Sequence, residues 1–382
     1  MRIMVVSHEY PPLGGGGGVV ARQLAREMVR LGHQVDVLTG WMDGLALESI
    51  EDDLRVTRVP SFRRRRDGCG AHEHAAFLWK ARSVAASMAN EYRYDVAHAH
   101  FILPAGALGT ALLRSHQIPY IVSVHGSDIP AHNPKRFQIA HHIARPLWRR
   151  AVAGAYETVF ASNYIMQRFA DAWPDAGCRL GLIPLGVDLA RYSPGRKSNS
   201  VLMVGRLIEA KGFRHVLEAL RGVQSSWEIN IVGDGPMRCE LEALAGATGM
   251  PVKFWGWLDN DSAELNALYA SAAICIQPSF AESFGVVLLE AMAAGAAVIT
   301  SNTTACPEVI GDAGVLVEPG NVEQIRAALL HLMGDASRRG ELGRRARERV
   351  VEHFGWERVG RDYSRLLSEA AERGRRSASC EG

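Results

Sequence analysis

The stretch IQPSFAESFGVVLLEAMAAGAAVITS, residues 276–301, decides how the rest of the chain is read. An apolar run at 273–276 predicts a strand, a Pro/Ser turn follows, and a helix is predicted to begin near 283–285. The first N–H groups of a helix have no internal partner and carry about half a positive charge, so Ser283, Phe284 and Gly285 would offer donors to an anion. Glu282 stands just before that opening, and Glu290 lies about 12 Å further along the axis at ~1.5 Å per residue. Such a separation exceeds the roughly 5 to 9 Å of a glycosidase carboxylate pair. The two glutamates are instead expected to grip different parts of one long, phosphate-bearing ligand. Taken alone, Glu290 reads equally well as a solvated helix position.

Around this stretch, 382 residues are enough for two domains that each bury a core. A hydrophobic fraction of 47% with 22% charged residues is that of a globular protein. No apolar run reaches the ~20 residues of a membrane span, because Glu290 interrupts the longest candidate. The opening MRIMVVSHEYPP predicts a short strand and no signal peptide, so a cytoplasmic location is expected. Cys69, Cys178, Cys239, Cys275, Cys306 and Cys380 lack paired spacing, which suggests neither disulfides nor a zinc site. The net charge is +2, yet residues 1–185 carry +5 (21 basic, 16 acidic) and eleven of the fourteen histidines. That bias fits an acidic partner, such as the anionic inner face of a membrane, and is too weak to argue for nucleic acid.

Strand and helix patterns alternate throughout, which predicts mostly parallel sheets covered on both faces. The apolar run 2–7 leads into HEYPPLGGGGG and a helix over 19–30, an arrangement that brings backbone close to a phosphate. Its spacing is not GxGxxG, so a dehydrogenase reading is weak. Residues 41–70 are the least regular, with EDD at 51–53 and RRRR at 63–66 read as a solvated excursion or, alternatively, an acceptor or membrane contact. A strand over 119–124 ends in HGSD, where open sheets bind ligands, so His125 is a sugar or phosphate contact or a packing residue. His98 and His100, near another strand end, are weaker candidates, while His132, His141 and His142 are expected on surfaces. RPLWRRAV at 145–152 sets Trp148 among three arginines, suiting an interfacial face or an ordinary helix. PLGVDLARYSPGR reads as a linker, after which the pattern restarts with a strand over 201–204 and the loop GRLIEAKG. There Arg206 and Lys211 flank a helix start, where two fixed cations would stabilise a diphosphate leaving group without a metal. From residue 321 the chain is predicted helical with a break at Gly340, and the tail 373–382 is expected to be disordered.

Glu-x7-Glu within PSFAESFGVVLLEAMAAG resembles the donor-site motif of the GT-B glycosyltransferases related to family 4, retaining enzymes that use nucleotide sugars. The resemblance extends along nearly the whole chain. PPLGGGGGVV resembles the family's PP-x-x-GG-x-G loop, which implies that Gly15, Gly16 and Gly18 lie near the donor phosphates and the acceptor. HGSD resembles the loop whose histidine meets the donor sugar, PLGVD the hinge motif, and VGRLIEAKG the G-R-L-x-x-x-K-G motif, which carries over Gly205, Arg206 and Lys211. GDGP resembles the G-x-G-P turn beside the donor, implicating Gly233, while Leu258 would line the nucleobase through its backbone and residues 307–310 would floor the donor pocket. The implied fold is α/β: two doubly wound Rossmann-like domains facing one another across a cleft. Residues 1–185 would form the acceptor side and 186–356 the donor domain, with a helix at 357–372 packing back onto the first. The resemblance implies catalytic roles for His125, Arg206, Lys211 and Glu282, and donor binding by Gly15, Gly16, Gly18, Gly205, Gly233, Leu258, Ser283, Phe284, Gly285 and Glu290. It implies a nucleotide-sugar donor, a glycan or lipid-linked acceptor, and no metal or further cofactor. Two rivals remain: a nucleotide-sugar epimerase with Asp128 as added acid/base, and a non-catalytic sugar-nucleotide-binding protein.

Overall fold

A computed structural model describes residues 1–66, 68–129 and 138–380, apart from the side chains of 138–143 and 377–380. His132 lies outside the described residues, as do the side chains of His141 and His142. The chain forms two compact units, Met1–Pro184 with Trp356–Gly382, and Leu185–Gly355.

The first unit begins with β1 (Arg2–Val6), whose RIMVV run is apolar on both faces because the strand is central and covered on both sides. Then come α1 (Gly16–Arg30), β2 (Gln34–Trp41), β3 (Glu48–Glu51), β4 (Leu54–Pro60), α2 (Ala71–Glu91), β5 (Val96–His100), α3 (Ala107–His116) and β6 (Tyr120–Ser123). After these follow α4 (Gln138–Ala153), β7 (Thr158–Phe160), α5 (Asn163–Ala172) and β8 (Leu180–Leu182). The eight strands lie in the order β3-β4-β2-β1-β5-β6-β7-β8, all parallel except β3, which runs antiparallel to β4. Successive strands leave β1 in opposite directions, so the carboxyl ends of β1 and β5 flank the point where strand order reverses.

Residues 41–70 are more regular than expected. Asp52 and Asp53, both at positive φ (51° and 62°), turn β3 into β4, a conformation that aspartate tolerates and that matches the strand twist. The four arginines that follow are not one solvated run. Arg63 is buried and donates to the carbonyls of His8, Arg65 and Arg66, whereas Arg64, Arg65 and Arg66 are exposed. Trp148 does not form an interfacial face either: it is buried, stacked on Trp173 and Phe169 at 4.2 and 5.1 Å between ring centroids.

The second unit contains β9 (Ser198–Val204), α6 (Phe213–Ala219), β10 (Glu228–Val232), α7 (Arg238–Ala245), β11 (Val252–Gly256), α8 (Ala263–Ser271) and β12 (Ala272–Gln277). It continues through α9 (Val286–Ala293), β13 (Ala297–Ser301), α10 (Cys306–Ile310), β14 (Val315–Val317), α11 (Val322–Gly334) and α12 (Ala336–His353). Its six parallel strands are ordered β11-β10-β9-β12-β13-β14, which puts the reversal between β9 and β12. The helical break falls at Asp335, not Gly340, because the Asp335 carboxylate caps α12 by accepting from the Arg338 N–H at 2.8 Å. Residues 306–310 form α10, with Cys306, Val309 and Ile310 buried in the core and Pro307 and Glu308 half-buried.

The chain then returns to the first unit as α13 (Trp356–Cys380). Tyr363, Leu367, Ala370 and Ala371 are buried, the His33 ring meets Ser364 Oγ at 2.8 Å, and Arg30 pairs with Glu357 at 3.1 Å. The tail expected to be disordered is helical through Cys380, and residues 381–382 lie outside the described ones. Arg375 holds Asp95 at 2.9 Å, and at Gly374 even a Cβ would approach Pro119 within 2.8 Å.

Candidate active site

In the second unit the loops after β9 and β12 meet at the reversal of strand order. The loop after β9 and the turn after β10 beside it are shaped by glycines at positive φ, and at two of them a side chain has no room. A Cβ on Gly233 would lie 1.9 Å from the Gly205 carbonyl, and one on Gly212 would lie 2.3 Å from the Pro278 carbonyl. Backbone bonds lace the same turns together: Gly205 N–H to Val232 O (2.9 Å), Gly233 N–H to Gly256 O (2.8 Å), Leu207 N–H to Asp234 O (2.9 Å) and Phe280 N–H to Ala210 O (2.8 Å). The last of these ties the loop carrying Lys211 to the loop carrying Glu282. Lys211 Nζ consequently lies 2.6 Å from Glu282 Oε2, with both side chains mostly buried.

Gly285, at φ 101°, caps α9, which starts at Val286, one residue beyond the predicted opening. Glu282, Ser283 and Gly285 are therefore gathered at the amino end of a two-turn helix, while the Phe284 side chain is buried and faces Phe354 at 6.0 Å. Arg206 sits exposed in the β9 loop, and Leu258 is half-buried after β11. Gln277 was missed by sequence reading. It ends β12 fully buried, its Nε2 donates to Ser279 Oγ at 3.2 Å, and its Oε1 has no partner among the described residues. A polar residue closing an otherwise apolar strand was the available signal.

Glu290 is not a solvated helix position. Its carboxylate accepts from Tyr192 at 3.0 Å and Tyr269 at 2.6 Å, and burial holds its pKa above the usual range despite those bonds. The same burial, with Glu290 beside them, raises both phenols. Each carboxylate oxygen offers about two acceptor sites, so one Tyr bond apiece leaves capacity for further donors.

In the first unit Gly14 to Gly18 follow β1, and α1 begins inside the glycine run at Gly16. A Cβ at Gly15 or Gly16 would meet nothing within 4 Å, whereas one at Gly17 would strike the Phe101 ring at 2.4 Å and one at Gly18 the Glu9 backbone at 3.0 Å. Phe101, just past β5, also packs on His125 at 4.3 Å between centroids, so it stands between the glycine loop and the histidine. Its φ of 75° is strained for an aromatic residue and was not predicted.

His125 itself ends a chain of rings. Its Nε2 lies 3.3 Å from His100 Nδ1, His100 packs on His98 at 4.2 Å, and His98 Nε2 meets Ser123 Oγ at 2.8 Å. Ser123 Oγ in turn meets the Tyr363 hydroxyl of α13 at 3.1 Å. Burial pushes His125 down to about 4 and His98 to about 3, and it holds His100 well below the ordinary value. All three rings are neutral at pH 7. Asp128 is pushed up to about 7 by burial, and its carboxyl oxygens accept from the His125 N–H at 2.9 Å and the Ile102 N–H at 3.2 Å. It thereby fastens the ends of β5 and β6.

Two family models match the chain: one described as Glycosyltransferase Family 4 over residues 14–191, the other as Glycosyl transferases group 1 over residues 198–335. Among curated relatives, the MMP alpha-(1->4)-mannosyltransferase of Mycolicibacterium hassiacum is 27% identical over 98% of this chain and 99% of its own length. Among solved structures, sucrose-phosphate synthase from Thermosynechococcus elongatus matches with a TM-score of 0.81 at 21% identity, covering 97% of this chain and 98% of that one. HepE of Anabaena, in complex with UDP and glucose, matches with a TM-score of 0.74 at 20% identity over 96% and 99%.

Proposed function

Because the chain belongs to the family 4 glycosyltransferases, we propose that it moves a sugar from a nucleoside diphosphate to a hydroxyl on a glycan or lipid-linked acceptor, with retention of configuration. The observation that carries this reading is the Lys211–Glu282 pair at 2.6 Å, set where strand order reverses in the second unit. Lys211 is already anchored there, and Arg206 stands exposed on the same loop. As the bond to the diphosphate breaks, negative charge grows on the leaving oxygen, and fixed cations stabilise it more in the transition state than in the ground state. The amino end of α9, with Ser283, Phe284 and Gly285, adds backbone donors to the same charge. Gly205, Gly233 and Leu258 are assigned to the close backbone approach, Glu290 to the ribose hydroxyls and Glu282 to the transferred sugar. Gly15, Gly16 and Gly18 are assigned to phosphate approach in the first unit, and His125 to the sugar as a neutral hydrogen-bonding ring.

Neither carboxylate is free to attack the anomeric carbon, since Glu282 is ion-paired and Glu290 is held by two phenols. That supports a front-face path in which the leaving phosphate oxygen takes the acceptor's proton. Asp128 is committed to two backbone N–H groups, which counts against an epimerase built on it. The names of similar proteins, among them an enzyme of mannosyl transfer and a structure holding UDP and glucose, support a nucleotide-sugar donor. The two cations and the helix start make the diphosphate site independent of metal and of any further cofactor. Release of nucleoside diphosphate from the preferred donor should therefore be undiminished by EDTA. Loss of activity restored by magnesium or manganese would overturn that assignment. The basic first unit supports a peripheral contact with an anionic membrane at the inner face of the cell.

A further inference from the structure

On the first unit, α3 lies between α2 and α4 and sets short side chains at the bottom of the gap, the buried Ala107 and the half-buried Thr110 and Ala111, with Arg114 one turn on. These residues floor a groove of about 310 Å³. Arg82 of α2 walls one side, and Leu147 and Arg150 of α4 wall the other. All three arginines are exposed, and none makes a side-chain hydrogen bond or ion pair among the described residues. Their isolation has a plain cause: residues 74–90 of α2, all of α3 and all of α4 contain no aspartate or glutamate. Elsewhere in the chain, exposed arginines commonly find carboxylates, as Arg344 and Arg365 do on their own helices. Apolar groups share this face. Trp79, one turn before Arg82 on α2, is 76% exposed, and Leu147 is 37% exposed.

We propose that this groove and its rim are the membrane-docking surface of the protein, with Arg82, Arg114 and Arg150 engaging the phosphates of anionic lipids and Trp79 and Leu147 entering the interface. Three unpaired guanidiniums match phosphate oxygens by charge and by their forked donors. A free phosphate would use the arginines alone, whereas a lipid surface takes up the tryptophan and leucine beside them as well. The inference rests on the reading of an anionic membrane partner and relocates it. The arginines at 63–66 contribute less, since Arg63 is buried, and Trp148 contributes nothing because it is inside.

The test is sedimentation of the full chain with vesicles of phosphatidylglycerol and phosphatidylcholine, or of phosphatidylcholine alone, with and without inorganic phosphate. Wild type should bind the anionic vesicles only, and raised salt should release it. Neutralising each arginine should weaken binding about fivefold, and Arg82→Gln/Arg114→Gln/Arg150→Gln together about a hundredfold. Trp79→Ser should weaken binding at low salt without altering its salt dependence, since the contribution that it removes is apolar. An unchanged melting temperature in each variant serves as the folding control. No binding of wild type to anionic vesicles overturns the membrane reading. Equal binding by wild type and the triple variant keeps that reading and overturns the groove. Release by millimolar inorganic phosphate at constant ionic strength would make it a site for soluble phosphates and overturn the lipid assignment.

Discussion

Asp128 and the three histidines beside it pull the stability of the first unit in opposite directions as pH changes. His98, His100 and His125 have folded pKa values below the unfolded one, so between about pH 4 and 6.5 the unfolded chain binds protons that the native rings refuse. Their contribution is fully present above 6.5 and is lost as pH falls. Asp128 behaves in reverse: its raised value means that the native carboxyl keeps a proton up to about 7, so its contribution grows on acidification. Three rings outweigh one carboxyl. The melting temperature should fall as pH drops from 6.5 towards 4, and Asp128→Asn should steepen that fall. A flat profile between pH 6.5 and 5 would contradict the buried, neutral state of the rings. At this scale the sequence was legible only where a motif is local. His125 was marked by its strand end, yet its neighbour His100 lies 25 residues away. Glu290 was marked by its spacing, but Tyr192, 98 residues before it, is invisible as its partner. Contacts at such separations are made by sheet order, which no local pattern states.

Elements were easier to read than their ends. Strands such as β1 and β12 are continuous apolar runs because parallel central strands are covered on both faces, and that signal survives without tertiary knowledge. The β3–β4 hairpin was overlooked although LRVTRV alternates and the Asp52-Asp53 pair suits a tight turn. The glycine positions also divide into two kinds. Gly233 is required by the fold, because its φ is 128° and a Cβ would collide with Gly205 O. Gly233→Ala should cost about 3 kcal/mol through strain and overpacking, lowering the melting temperature by about 6 to 12 °C. Gly16 has open space around it at the first position of α1. Gly16→Ala should leave the melting temperature unchanged or slightly raised, while the donor KM increases because the methyl occupies room meant for phosphate. Kinetics and thermal melts of the two variants decide this, and an unaltered KM in Gly16→Ala would remove that loop from the site.

Across the whole molecule the same device appears twice: a parallel sheet whose strand order reverses, with short loops at the carboxyl ends of the two flanking strands. In the first unit those loops carry the glycine run and Phe101, and in the second they carry Lys211 and Glu282. The return of α13 to the first unit was legible only through family resemblance, since nothing in a helical pattern states which sheet it covers. On the proposed function, the second unit's site holds a nucleoside diphosphate, with Glu290 on the nucleoside side and Glu282 on the sugar side. Calorimetric titration of wild type, Glu282→Ala and Glu290→Gln with UDP, GDP and ADP separates the two roles. One of the three nucleotides should bind wild type at one site per chain. Glu290→Gln should weaken that binding ten- to hundredfold, or about 1.5 to 3 kcal/mol, because it removes the charge that ribose hydroxyls would meet. Glu282→Ala should leave it nearly intact, since the sugar is absent and Lys211 is freed for the phosphates. Binding of none of the three, or binding lost in Glu282→Ala and kept in Glu290→Gln, would overturn these assignments.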